Sequence, residues 1–306
     1  MEIVTFGGDH VAAAATLLAA RHERHRAAEP LLPELEAARA EVEAAGTSGA
    51  AAVDGGDVAG YLVGTVRDDR SWGRHTWVAH GGWAVREPEL VRDLYAVAAE
   101  RWVGEGAKLH IVLTPALPEL VDPWLRLGFG HMQAYALRES GGEPKPLPAG
   151  VTIRLGTPAD LDAAAELLPA IWEHQRGSPT FTGFEIPAAA EYRADWEETL
   201  AEHRATWFLA ELDRELAGHL LLYPEEPSMA VPAGSVYLAV AATLPEARGR
   251  GVGVALTEHA LAWAREAGHA TVHTDWRVPN LESSRFWPRR GFRETFYRLA
   301  RQVEIG

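Results

Sequence analysis

The sequence predicts an α/β (α+β) fold built twice, as two similar halves in tandem. Strand-like alternation and longer helical periodicity take turns along the whole chain. A Pro- and Gly-rich stretch from Ser140 to Gly150 divides the 306 residues and reads as a linker. The two sides also repeat each other: Trp124-Leu-Arg126-Leu-Gly128-Phe129 matches Trp287-Pro-Arg289-Arg-Gly291-Phe292 at a shift of 163. At that shift His110 falls on His273, Ala99 on Ala262, Val91 on Val254 and Arg138 on Arg301. Val58-Ala-Gly-Tyr-Leu parallels Leu216-Ala-Gly-His-Leu at a slightly different offset. The expected organisation is a domain over 1–140, a linker over 141–150 and a domain over 151–306.

In the first half, Glu2–Phe6 is a short strand and Val11 to about His25 an Ala-rich helix. A second helix spans Leu31–Ala45 and stops at Gly46-Thr-Ser-Gly49. Strands over Ala50–Val53 and Val58–Val66 flank an Asp-Gly-Gly-Asp turn. Thr76–Val85 is a strand, and Pro88–Val103 a helix with proline in its first turn. Strand Leu109–Leu113, helix Leu117–Leu127, a Gly128-Phe129 turn and strand His131–Leu137 close the half. After the linker the order restarts with strand Val151–Leu155. Helix Asp160–His174 follows, begun by Thr157 with proline next. A helix near Pro187–His203 leads to strands Thr206–Leu212, Leu216–Tyr223 and Val236–Ala242. A glycine loop, its helix to Glu266, strand Ala270–Trp276, helix Leu281–Arg289 and strand Glu294–Ala300 complete the chain.

Composition narrows the function. The 47% hydrophobic content supports a core, and no run of 18 apolar residues suggests a membrane span. MEIVTFGGDH lacks a basic start followed by an apolar run, so no signal peptide is expected and the expected location is cytoplasmic. The absence of cysteine excludes disulfides, thiolate metal sites and a cysteine nucleophile. The net charge of −14 is shared equally between the halves. An acidic body repels a phosphate backbone and attracts a cationic amine. His22 and His25 stand three apart on a helix, a metal-like spacing with no third ligand in view, so solvated helix residues are the plainer reading. No metal is expected.

The chemistry concentrates in Val240-Ala-Ala-Thr243-Leu-Pro245-Glu-Ala-Arg248-Gly249-Arg250-Gly251-Val252-Gly253-Val254. It reads as a buried strand, a glycine loop and the first turn of a helix. The glycines let consecutive N–H groups face one point, the helix aims its positive end there, and Arg248 and Arg250 add charge. A pyrophosphate suits such a pocket. Gly-Lys-Ser/Thr does not follow, so it is not a P-loop, and Val254 or Leu256 stands where a dinucleotide fingerprint needs its third glycine.

What fits is Arg248-x-x-Gly251-x-Gly253 after a strand, which resembles the coenzyme A loop of the GNAT superfamily of N-acetyltransferases. Asn280-Leu-Glu-Ser283-Ser-Arg-Phe286-Trp287-Pro-Arg-Arg-Gly291-Phe292 resembles that family's second signature, at its usual distance. The resemblance covers nearly the whole chain and implies two tandem GNAT folds, each a mixed, mostly antiparallel sheet flanked by helices. It implies acetyl-CoA as co-substrate. The backbone of Ala241, Ala242 and Thr243 would pair with its pantetheine arm. Arg248, Gly249, Arg250, Gly251, Val252, Gly253 and Val254 would cradle the pyrophosphate, and Asn280 and Ser283 would lie along the cofactor. Only the second half keeps these residues: at the shift of 163, Arg248, Gly251, Gly253 and Asn280 fall on Val85, Pro88, Leu90 and Leu117. The first half reads as a structural copy, with His80-Gly-Gly82 as a candidate relic.

The expected reaction is direct attack by a primary amine, on a small molecule or a peptide, on the thioester. Trp287 departs from the family, which places tyrosine there; an indole N–H donates a hydrogen bond but gives up no proton near neutral pH. Because Trp124 holds the same repeat position, core packing is the plainer reading of Trp287. Tyr237 and Tyr297 are the other candidates to supply the thiolate's proton. Asp275 is the preferred base or substrate anchor, since its counterpart is the apolar Val112, whereas His273 has a twin in His110. Glu173 and His174 are alternative substrate contacts. Three readings stand: an amine N-acetyltransferase acting as monomer or homodimer, a coenzyme A-binding pseudoenzyme, and a mycothiol-type acetyltransferase, from which Trp287 departs.

Overall fold

A computed structural model describes residues 1–142, 145–165, 167–182, 189–202 and 205–303. It divides into two compact units, Met1–Tyr135 with Glu294–Gly306, and Ala136–Arg293.

The first unit contains β1 (Glu2–Thr5), α1 (Val11–Ala28), α2 (Ala38–Ala45), β2 (Ser48–Asp54), β3 (Asp57–Asp69), β4 (Gly73–Val78) and β5 (Trp83–Val85). It continues through α3 (Leu90–Gly104), β6 (Leu109–Pro115), α4 (Pro118–Arg126) and the start of β7 (Gly130–Glu139). The helix expected from Leu31 begins only at Ala38, because Pro33 cannot donate its missing N–H and pushes Leu32 toward extended backbone. The strand expected over Thr76–Val85 is two. β4 pairs with β3 and β6, then the chain breaks away and β5 joins β3 at Gly60–Leu62. Gly81 permits that break, since a Cβ there would lie 2.6 Å from the Glu41 carbonyl oxygen. The core is aromatic, with Trp83, Trp102 and Trp124 fully buried among Leu94, Tyr95 and Phe129.

The second unit begins within β7 and holds β8 (Val151–Leu155), α5 (Ala170–Arg176), α6 (Ala189–Glu202), β9 (Thr206–Leu212), β10 (Glu215–Pro224) and β11 (Val236–Thr243). Next come α7 (Val252–Glu266), β12 (Thr271–Arg277) and α8 (Leu281–Arg289). β8, β9, β10 and β11 pair antiparallel in that order, and β11 pairs parallel with β12. α7 covers one face, where a Cβ on Gly218 would meet Leu256 and Val252 at 3.1 Å. The other face packs Trp196, Trp207, Leu209 and Leu221 into one cluster. The helix expected over Asp160–His174 is interrupted: a single 3-10 turn at Pro158–Asp160 gives way to turns, and α5 starts after Pro169, which breaks the run. Pro187 and His203, the expected ends of the next helix, lie outside the described residues, which show α6 between them.

The final strand, β13 (Arg293–Gln302), departs from the expected division. From Glu294 it belongs to the first unit, pairing antiparallel with β6 from Phe296 opposite Pro115 to Gln302 opposite Leu109. β7 meanwhile leaves the first unit at Ala136, and Ser140 N–H donates to Ala270 at 3.0 Å within the second. The two closing strands occupy equivalent repeat positions and carry similar alternation, so local pattern cannot say which sheet each one closes.

Candidate active site

β11 runs into a short 3-10 turn at Pro245–Ala247, then the glycine loop, then α7. Gly251 caps α7 at φ +85°, a left-handed conformation that other residues adopt at a cost. The first main-chain bond of the helix runs from Ala255 N–H to Gly251. The N–H groups before Ala255 therefore have no acceptor within the helix and remain available to an anion.

These groups border a cavity of about 460 Å³. Ala241, Ala242, Thr243, Arg248, Gly249, Gly251, Val252, Gly253, Val254, Asn280 and Ser283 all line it. Arg250 does not: its guanidinium pairs with Asp213 at 3.3 Å and is half exposed. The cavity also includes Ala170 and Ile171 of α5, His219 of β10 and Phe286, none of which the sequence singled out as site residues. Asn280 caps α8, its Oδ1 accepting from Glu282 N–H at 3.1 Å and Ser283 N–H at 3.2 Å. With that oxygen committed, its NH₂ is what it can offer a ligand. His174 lines the cavity and lies 3.4 Å from Glu282, which also meets Arg248 at 3.4 Å.

Next to the loop the sheet opens. β11 and β12 pair only from Val236 opposite Val272 to Leu238 opposite Thr274, where Thr274 Oγ1 donates to the Leu238 carbonyl at 2.9 Å. Beyond that point both strands continue, and no pairing joins them among the described residues. Main-chain groups of β11 on that side are left for a ligand to pair with. A bulge sits at the vertex: Leu222 faces Leu238 while Leu221 faces Val240, so Ala239 has no opposite number. The extra residue reverses the side-chain phase. Tyr237 thereby shares the face of Val240 and Tyr223, opposite α7.

There Tyr237 and Asp275 come together, the phenol O–H donating to the carboxylate. The Tyr237 ring stacks on His273 at 4.8 Å and 17°, and His273 Nε2 lies 2.9 Å from Glu225. Burial, then the Glu225 and Asp275 carboxylates, push the Tyr223 phenol up to about 12. Tyr237 and Asp275 are not in the cavity wall; Tyr237 lies four residue steps, about 13 Å of strand, from Ala241. They stand at the closed end of the seam, with the loop at its open end. Tyr297 belongs to the first unit, where its hydroxyl donates to Glu294, and His22 is bonded to the Pro33 carbonyl at 2.8 Å. Glu173 is not in the cavity wall, and no group of three potential metal ligands exists among the described residues.

Residues 168–292, from the end of the first turns to the Gly-Phe pair, match the acetyltransferase (GNAT) family model. This segment is a GNAT domain. Over its whole length the chain superposes on a GCN5-related N-acetyltransferase from Sphaerobacter thermophilus with a TM-score of 0.63 and 16% identity, covering 100% of this chain and 96% of that one. A tandem GNAT protein from the clavulanic acid biosynthesis pathway gives 0.54 and 16%, covering 100% and 99%. At such identities the likeness is one of fold, and it extends over both units. No curated protein sequence matches the chain.

In the GNAT domain Trp287 is nearly buried at the cavity wall, edge-on to Phe286 at 5.0 Å and to Phe292 at 5.3 Å. Trp124 makes the same edge-on contact with Phe129, at 5.1 Å. A shared packing geometry in both halves explains the residue without a chemical role. Trp287→Phe is therefore expected to lower turnover less than about threefold, since the ring stack survives. A tenfold loss at unchanged cofactor affinity and thermal stability would assign the indole N–H to the reaction instead.

The first unit closes the corresponding seam with its own atoms. β4 and β6 pair in parallel as far as Val78 opposite Val112, and there the chain turns aside. Trp83 Nε1–H donates to the Leu113 carbonyl at 3.0 Å, and Tyr61 O–H to the Gly81 carbonyl at 2.7 Å. Arg21 of α1, fully buried, donates to the carbonyls of Trp83 and His80. In the GNAT domain Ile171 of α5 lines the cavity.

Proposed function

We propose that the GNAT domain transfers an acetyl group from acetyl-CoA to a primary amine by direct attack, with no acyl-enzyme. The observation that carries this reading is the open seam between β11 and β12, with N–H groups that have no acceptor within α7 at one end and the Tyr237–Asp275 pair at the other. The loop N–H groups and the α7 terminus would hold the pyrophosphate. Main-chain groups of Ala241 to Thr243 would orient the arm, and those at the Ala239 bulge would polarise the thioester carbonyl. Asp275 would anchor the ammonium and take its proton, while Tyr237 would give its proton to the departing sulfur and recover one from Asp275. Asp275, Glu225 and the net charge of −14 favour a cationic amine.

A second reading, a coenzyme A-binding domain without turnover, draws on Trp287 standing where the family carries a phenol. Calorimetry with acetyl-CoA and thiol-release assays with an amine panel test both. We expect one site per chain, since only the second unit has the loop. Amine-dependent thiol release should fall about a hundredfold in Asp275→Asn at little-changed acetyl-CoA affinity. Binding without turnover on any amine would favour the second reading, and no binding would exclude both.

A further inference from the structure

His219 is wholly buried in β10 opposite Ala242, and it lines the cavity. A buried imidazole with an unmatched nitrogen is costly unless something meets it. One nitrogen is matched: the Trp207 indole lies 3.3 Å from Nδ1, and an indole can only donate. Nδ1 must therefore be the bare, accepting nitrogen, and in the neutral ring the proton sits on Nε2. Burial keeps the ring neutral, drawing its pKa down to about 3. Nε2 has no hydrogen-bond partner among the described residues. Ala242 stands opposite His219, and Ala170 and Ile171 are among the other residues that line the cavity.

The internal repeat supplies an independent observation. Tyr61 holds the matching place in the first unit, in Ala59-Gly60-Tyr61 against Ala217-Gly218-His219, and it too is fully buried. Its O–H donates to Gly81, a carbonyl of the segment that fills the first unit's seam. The same strand position thus carries a buried donor in both units. In one the chain supplies the acceptor; in the other no described residue does.

We propose that His219 is a ligand-binding residue whose Nε2–H donates to an amide carbonyl or hydroxyl oxygen of the pantetheine arm. The proposal rests on the cofactor reading above and adds to it a side-chain contact from β10. An Nε2–H tautomer presents no lone pair to the cavity, so the same geometry excludes His219 as the general base. Ala242 matters here because a larger side chain beside the imidazole would separate it from the ligand.

The test uses the full chain and coenzyme A itself. In the free protein, nitrogen NMR of His219 should show a neutral ring protonated at Nε2, and adding coenzyme A should move the Nε2–H proton downfield. Calorimetry should show coenzyme A binding about tenfold weaker in His219→Phe. His219→Gln, which keeps a donor, should recover part of that loss. A proton on Nδ1, or an unchanged Nε2 signal and unchanged His219→Phe affinity while the wild type binds, would overturn the proposal alone. A wild type that does not bind coenzyme A would overturn the cofactor reading and with it this one. Were His219→Phe to unfold, the wild-type NMR titration would still decide.

Discussion

Gly251→Asp should abolish measurable coenzyme A binding, whereas Gly251→Asn should only weaken it. At φ +85° Asn and Asp are the side chains that best tolerate the left-handed backbone, so both variants carry similar strain. Both also place a Cβ 3.0 Å from Pro148 Cγ, a contact the linker must relieve by a small shift. They differ in one charge, set where the α7 terminus and loop N–H groups converge. A carboxylate there would occupy the proposed anion site and repel a pyrophosphate. We expect the Asp variant to bind at least about a hundredfold more weakly than wild type, and at least about tenfold more weakly than Asn. Calorimetry on both, with melting curves to match their stabilities, checks this. Equal affinities would mean that the glycine loop does not hold the phosphates.

The protein should lose stability steeply between pH 7 and pH 5. Burial, helped by the Arg21 charge, draws His25 and His80 down to about 3, and burial alone does the same to His219. An unfolded histidine titrates near 6.5, so between these values the unfolded chain binds more protons than the folded one. The stabilisation is complete above pH 6.5 and is lost as pH falls toward 3. At pH 5 each of the three costs about 2 kcal/mol, out of the roughly 5–15 kcal/mol typical of a folded domain. The cost falls on both units, two histidines in the first and one in the second. A melting temperature lower by roughly 10 °C at pH 5 than at pH 7.5 is expected. A flat profile, or NMR titration of His25 and His80 near 6.5, would show that these rings are hydrated.

The sequence determined the strand–loop–helix of the proposed anion site, because glycines at 249, 251 and 253 and a helix start can be read from neighbouring residues. It also determined that only one half carries that glycine loop, through the internal repeat. Asp275 was singled out by its apolar twin Val112, and it does meet Tyr237. Its partner could not be read, because the Ala239 bulge that turns Tyr237 to that face has no local signature. His219 escaped notice for a similar reason. As one histidine in an apolar run it looks like core, and only the Trp207 contact and the cavity reveal a donor without an acceptor among the described residues. Tertiary structure also decided the units. Two halves that repeat each other end in closing strands of like pattern, and main-chain hydrogen bonds do not distinguish them. That β13 pairs with β6 rests on side chains distant in sequence, with Phe296 and Leu299 wholly buried in the first unit. Local sequence specifies what a segment can be; which partner it takes depends on the surface it buries.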